Sequence, residues 1–381
     1  MKEHYLDNSA TTQPYEAVVE AMARAMREEY GNPSALHHRG YLAERALNNA
    51  RDTIAGTLKC SREEIYFTGS GTEADNLAIF GTVAALGRLG DHVVVSSVEH
   101  PAVYECMKEL ERRSLRVDYI PILPDGSLDL GFAAKVIGDK TILVSCMLVN
   151  NELGTIFPVA QLKKLMQQAG SPGYLHCDCV QGYGKLPITA KNLGADLIAV
   201  SAHKIHGPKG VGALYVKKGV RLIPVTKGGG QERGLRSGTE NTYGIIGFAA
   251  AARQCFDDIR GRMQRIAQLK AYTMRRAAEV EHCVVNSPDN SAPHILHLSL
   301  PGLRSETMLH LLESQGVYVS AGSACSAKSG KPSRVLQNAG LSPALSDSAL
   351  RISFGDFNTK EDCDALIDGL NLCRQELRGK V

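Results

Sequence analysis

Residues 64–76 read Glu64-Ile65-Tyr66-Phe67-Thr68-Gly69-Ser70-Gly71-Thr72-Glu73-Ala74-Asp75-Asn76. β-favouring residues run into a glycine-rich turn, and a helical pattern opens at about Glu73. A strand, a tight turn and a helix in that order form the repeating unit of α/β folds.

The same alternation extends in both directions. Residues 16–30 put Val18, Met22, Met26 and Tyr30 on one helical face, and residues 43–58 do the same with Leu47, Ala50, Ile54 and Leu58. β-rich runs follow at 92–97, 116–122, 142–149, 174–177, 197–201 and 211–216. Several are apolar on both faces, as strands covered by helices on each side are. The expected fold is therefore α/β, with a largely parallel sheet. After about Gly247 the texture changes, to a long basic helix over 255–282 and strands at 294–300, 316–320 and 350–354. A last helix opens at Thr359, where Thr359 and Asp362 have capping-box spacing. The expected division is a large domain over 16–254 and a small α+β domain from 1–15 and 255–381. The small domain would carry a mobile loop at about 321–333.

Composition limits the function. With 381 residues, 44% hydrophobic and 22% charged, the chain is globular. Its 43 basic and 40 acidic residues leave a net charge of +3, too little for a general attraction to nucleic acid or an anionic membrane. No run approaches the roughly 20 apolar residues of a membrane span. The start, MKEHYLDNSATT, has no apolar signal segment. Ten cysteines without a CxxC pair suit a reducing compartment, so a cytoplasmic location is expected.

Ser201-Ala202-His203-Lys204 follows an apolar strand directly. A lysine at a strand end amid small residues is placed for desolvation, which lowers an amine's pKa and makes it a candidate Schiff-base nucleophile. The blander reading is a surface lysine on a glycine-rich turn. An aldehyde cofactor bearing a phosphate needs an anion cup, and free N–H groups at the helix start near Gly71 and Thr72 would form one. Gly69-x-Gly71-x-x-Ala74 also matches a dinucleotide fingerprint formally, but the expected acidic residue is missing from the end of the next strand. A plain structural turn is the third reading.

Asp178 ends a short strand, where a carboxylate can pair with a protonated pyridine nitrogen. Its neighbours His176, Cys177 and Cys179 invite a metal reading. In a strand, however, Cys177 and Cys179 point away from Asp178, so buried thiols are preferred and no metal is expected. His100 lies just past another strand. In an α/β sheet the strand C-ends gather at the ligand crevice, which would bring Thr72, His100, Asn151, Asp178, Gln181 and Lys204 to one edge. Cys325 stands in a run of small residues with Lys328 and Lys331 nearby. That setting favours a thiolate nucleophile on a loop that travels, against an incidental surface cysteine.

Together these residues resemble the cysteine desulfurases of the NifS/IscS type, within the class V aminotransferases. The resemblance covers nearly the whole chain. It includes Leu6–Thr12, Gly31-Asn32-Pro33-Ser34, Gly71–Asn76, Glu99-His100, Asn150-Asn151-Glu152, Ser201–Lys204, Gly228–Arg233, Arg236–Thr239 and Gly322–Cys325. It implies the aspartate-aminotransferase-like fold type I of pyridoxal 5'-phosphate enzymes and a homodimer. It also implies L-cysteine as substrate and an acceptor protein for the sulfur. Lys204 would carry the cofactor and shuttle protons, Asp178 would pair with the ring nitrogen, and Gln181 would contact the phenolic oxygen. His100 would stack on the ring and assist proton transfer. Gly71, Thr72, Ser201 and His203 would hold the phosphate, with Thr239 of the partner subunit. Asn151 and Arg351 would grip the substrate carboxylate, and Cys325 would take the sulfur as a persulfide.

Some features depart from the family pattern. Cys177 and Cys179 flank Asp178 where valine and alanine are usual, and the Thr68–Gly71 turn is reordered. The chain ends at Val381, without the longer tail by which housekeeping members dock an iron–sulfur scaffold. Two other functions fit the same fold. One is selenocysteine lyase, which would survive loss of Cys325, and the other is a sulfur-relay protein without turnover.

Overall fold

The computed structural model describes residues 2–322 and 333–377. A short strand, β1 (His4–Tyr5), precedes seven strands that build the main sheet: β2 (Ile65–Thr68), β3 (His92–Ser96), β4 (Arg116–Ile120), β5 (Thr141–Ser145), β6 (Tyr174–Asp178), β7 (Leu197–Ser201) and β8 (Gly212–Val216). Their order is β2-β8-β7-β6-β5-β3-β4, and only β8 runs antiparallel to its neighbours. β3, β5, β7 and β8 are buried along their whole length. Continuous apolar runs such as Leu197–Val200 therefore face helices on both sides. Because the other six strands are parallel, the C-ends of β2, β3, β5, β6 and β7 share one edge.

The last third forms a second body. Here β9 (Val284–Val285), β10 (Ile295–Ser299) and β12 (Ala349–Ser353) make an antiparallel sheet, and β11 (Val317–Tyr318) pairs in parallel with β1. A separate hydrophobic cluster holds Leu6, Leu269, Leu298, Leu350, Ile352, Leu366 and Leu370. The N-terminal segment thus packs with the C-terminal third.

Two helix expectations need correction. The basic stretch 255–282 is not one helix, because Thr242–Asp257 and Ile259–Ala277 are separated at Asp258. Asp258 has φ −133° and ψ 60°, and its side chain accepts from Gly261 N, so it ends one helix and caps the next. In helix Glu16–Glu28 the buried residues are Val18 and Ala25, whereas Met26 and Tyr30 are exposed. The apolar helix Thr242–Asp257 packs close against that face, and Met22 fits there because its neighbour is Gly247. A Cβ on Gly247 would lie 2.7 Å from Met22 Cγ. The capping residues at Thr359 are half formed: Thr359 N donates to Asp362 Oδ2 at 2.8 Å, ahead of helix Lys360–Leu377. Among the described residues no helix is long and apolar enough to cross a membrane.

One backbone approach joins the sheet to the turn after β2. A Cβ on Gly212 would lie 2.7 Å from the Ser70 carbonyl carbon and 2.7 Å from Val200 O. Both obstacles are main chain, which yields little. Gly212→Ala is expected to destabilise the protein by about 1–3 kcal/mol, read as a lower midpoint in urea with an unchanged slope. An unaltered midpoint would contradict this packing.

Candidate active site

The first turn of helix Gly71–Leu86 borders a cavity of about 240 Å³ at the shared strand edge. Ser70 caps this helix, its hydroxyl accepting from Glu73 N at 3.1 Å. The Glu73 carboxylate accepts in turn from Gly69 N and from Arg236, at 2.5 and 2.6 Å. The turn is thereby held with Gly71 and Thr72 on the cavity wall, where the N–H groups of a helix's first turn suit an anion.

The parallel strands deliver the rest. Gly71, Thr72, His100, Asn151, Asp178, Gln181, Ser201, His203, Lys204 and Arg351 all line this one cavity. Thr239 does not: it is exposed, away from the cavity wall. Cys325 lies outside the described residues. Ser9, Ala10 and Asp75 also line the cavity, and residue-by-residue reasoning gave them no role. Ser9 and Ala10 act through carbonyl oxygens, which carry no side-chain signature. Asp75 lies one helical turn beyond Thr72, on the same face, and that spacing was the signal available.

Burial governs the charges. Lys204 Nζ donates to Ser9 O at 2.6 Å and Ala10 O at 2.8 Å. Burial pushes the Asp178 carboxyl up to about 7, with the charge of Asp75 adding to it. One Asp178 oxygen accepts from Val180 N at 2.8 Å. Beneath it, Asp75 Oδ1 and His176 Nε2 lie 3.2 Å apart without hydrogen-bond alignment. Burial drives Asp75 up and His176 down, so each is shifted toward its neutral form. Glu99, fully buried, is pushed up to about 7 by desolvation, although its carboxylate accepts from Ser96 Oγ and Met147 N.

Burial lowers His100 to about 4, and the charges of Lys204 and Arg351 add to the shift. Its Nδ1 accepts from Ala102 N at 3.1 Å, so the proton of the neutral ring sits on Nε2. His203 is likewise lowered to about 4, by burial and then Lys204. Arg351 is 2% exposed, and it donates to Asn151 O at 3.0 Å and Asp7 Oδ1 at 2.9 Å. Ser9 Oγ, Asn151 Oδ1, Ser201 Oγ and Arg351 Nε are buried without a hydrogen-bond partner among the described residues. All four residues line the cavity, so its wall is chemically suited to a polar ligand. Cys177 and Cys179 point the other way, into the main core, with sulfurs 3.4 Å apart.

A family model for aminotransferase class-V matches residues 4–366. The cysteine desulfurase IscS of Dictyoglomus turgidum is 38% identical over 379 residues, covering 99% of this chain and 96% of that protein. Among solved structures, a NifS-like protein matches with a TM-score of 0.93 at 34% identity, over 98% of this chain and 100% of that one. SspA, solved in complex with cysteine, matches with a TM-score of 0.82 at 31% identity, over 94% of this chain and 100% of that one.

The raised Asp178 carboxyl has a consequence for stability. Its proton is bound more tightly in the fold than in the unfolded chain, so its contribution to stability falls as pH rises from the unfolded value through about 7. Asp178→Asn in ligand-free protein should match wild type at acid pH and become relatively more stable above neutrality. Thermal midpoints of both proteins at acid and alkaline pH test this. A difference that does not change with pH would contradict it.

Proposed function

We propose, for a chain that belongs to the class-V aminotransferase family and is a cysteine desulfurase of the NifS/IscS type, that the cavity at the sheet edge holds pyridoxal 5'-phosphate and L-cysteine together. Enzymes of this family depend on that cofactor. The observation that carries the assignment is the meeting of Lys204, Asp178, His100 and the helix start at Gly71 around one cavity. The buried, unpartnered polar atoms of Ser9, Asn151, Ser201 and Arg351 support the fit of a polar, anionic group.

Bound there, pyridoxal phosphate supplies an electron sink for bonds broken at the substrate's carbons. Lys204 would carry the cofactor and move protons at the substrate Cα. Asp178 would face the ring nitrogen, and its raised pKa suits a carboxyl that shares a proton with a base. Gln181 would donate to the ring oxygen, while neutral His100 would lie against the ring. Gly71, Thr72, Ser201 and His203 would hold the phosphate at the helix start, joined by Thr239 of the partner subunit in a homodimer. Exposed Ile223 and Val225, on the same connection as Thr239, support a surface that another subunit covers.

Asn151 and Arg351 would take the substrate carboxylate, since Arg351 keeps Nε unpartnered while Asp7 and Asn151 O fix its other nitrogens. Cys325 would act as thiolate on the substrate sulfur. The new sulfur–sulfur bond forms as the carbon–sulfur bond breaks, its electron pair staying with carbon. A proton returned to carbon by Lys204, with His100 assisting its transfer, would then complete L-alanine and leave a persulfide on Cys325. The persulfide would pass to an acceptor protein. The nine described cysteines are all unpaired thiols, which supports a reducing, cytoplasmic setting.

The test is alanine release from L-cysteine under reducing conditions. Lys204→Ala should lose the visible cofactor absorbance and roughly 10³-fold or more of the activity. Cys325→Ala should keep the absorbance and lose alanine release. Normal turnover by Cys325→Ala would overturn the role of that residue and favour selenocysteine lyase chemistry.

A further inference from the structure

Lys185 has no part in the chemistry above, yet it is fully buried beside the cavity, 6% exposed. It lies four residues after Gln181 in the turn that follows β6, and its Nζ donates to Gln181 Oε1 at 3.3 Å. The charges that bear on it are Lys204, Arg262 and Arg351, all of its own sign, against the single opposing influence of the Cys255 thiol. Behind it, a space of about 10 Å³ is also bordered by His206, His294, Arg262 and Asp356. With His203, whose ring also feels the Lys185 charge, and the charges just named, those residues are the titratable groups around it among the described residues. Burying an amine among cations is costly, and burial lowers this one to about 7. Packing alone would be served better by leucine or methionine. The position therefore calls for an N–H donor.

Gln181 shows what the donor does. Its amide has an oxygen end and an NH₂ end, and their assignment follows from the neighbours. Nε2 donates to Ser9 O at 2.9 Å, and the same carbonyl accepts from Lys204 Nζ at 2.6 Å. Turning the amide over would set its oxygen against the Ser9 carbonyl, acceptor against acceptor, and its NH₂ group against Lys185 Nζ. The Ser9 hydrogen bond would be lost in either form of Lys185, and the Lys185 hydrogen bond in its charged form. Lys185 and Ser9 hold the amide from opposite ends, which leaves the second Nε2 hydrogen for the cavity.

We propose that Lys185 is a positioning residue that locks the Gln181 amide, so that the site presents a donor rather than an acceptor to an oxyanion on the bound cofactor ring. This rests on the reading of the cavity as a pyridoxal phosphate site. A donor there stabilises negative charge on the ring oxygen. Its loss would make the bound chromophore keep its proton to higher pH.

The experiment titrates the visible absorbance of holoenzyme against pH for wild type, Lys185→Met, Gln181→Leu and the double variant. Lys185→Met should raise the midpoint by about one unit, the scale of one lost hydrogen bond. Gln181→Leu should raise it at least as far. Because Lys185 acts through Gln181, the double variant should move no further than Gln181→Leu alone. An unchanged midpoint in Lys185→Met would overturn the proposal. The same increment in both backgrounds would also overturn it, because Lys185 would then act by its own charge. Wild-type protein without visible absorbance when supplied with pyridoxal phosphate would instead overturn the cofactor reading, and the inference with it. Methionine fills nearly the lysine volume without a buried charge, so the variant should fold at least as stably as wild type.

Discussion

The carbonyl oxygen of Ser9 accepts from Lys204 Nζ and from Gln181 Nε2, at 2.6 and 2.9 Å. Much of the site depends on where that carbonyl is held. The segment that carries it is tied at both ends. Upstream, Leu6 sits in the hydrophobic cluster of the C-terminal third, and Asn8 Nδ2 donates to Ser353 O at 2.9 Å. Ser9 N donates to Ser353 Oγ at 2.8 Å, and Asp7 pairs with Arg351. Downstream, Thr12 Oγ1 donates to His203 O and accepts from His206 N. A few residues near the N-terminus thus stitch β12 to the end of β7, and the cavity lies along the seam. Leu6–Thr12 therefore helps assemble the two bodies around the site as well as lining its wall.

Desolvation then sets the chemistry. Each strand end brings a polar group to an edge that the second body covers, so charges are exchanged for neutral forms wherever a partner is missing. Asp75, Glu99 and Asp178 move toward protonation, while His100, His176 and His203 move toward the neutral ring. Arg351 is matched by Asp7. The resulting cavity is poised for a ligand with its own charges. A cationic ring nitrogen would restore charge at Asp178, and anionic groups would meet Arg351 and the helix start. Such a site is built for its ligand at the expense of the empty protein's stability.

Further from the cavity, the same economy of charge anchors the connection that carries Thr239. Arg51 makes a bidentate pair with Glu232, both hydrogen bonds at 2.7 Å, with both side chains nearly inaccessible. Glu232 also accepts from Phe67 N at 2.9 Å, next to the turn that begins the phosphate-type helix start. Glu232 and Arg233 both have positive φ, 46° and 55°, a conformation that non-glycine residues hold only when their surroundings impose it. The buried pair supplies that constraint and fixes the stem of the connection to β2.

Several features were legible in the sequence because they are local. Continuous apolar, β-favouring runs located the main-sheet strands to within a few residues, as at 197–201, where the observed β7 coincides with the reading. The motifs at Ser201–Lys204 and Gly71–Asn76 named residues that meet at the cavity, since parallel strands send their C-ends to one edge. What the sequence alone determined is thus the class of fold and the identity of the groups at strand ends, properties of short segments and of sheet geometry. Tertiary structure decided the rest. The break at Asp258 and the exposure of Met26 and Tyr30 depend on what packs against those helices. The Ser9 carbonyl, Asp75 and the buried Lys185 gain meaning only from neighbours distant in the chain. Period and propensity describe how a segment relates to its own axis. A hydrogen bond between residues 9 and 204, or the desolvation of an amine at 185, depends on which surfaces close over it, and that is fixed only when the two bodies pack together.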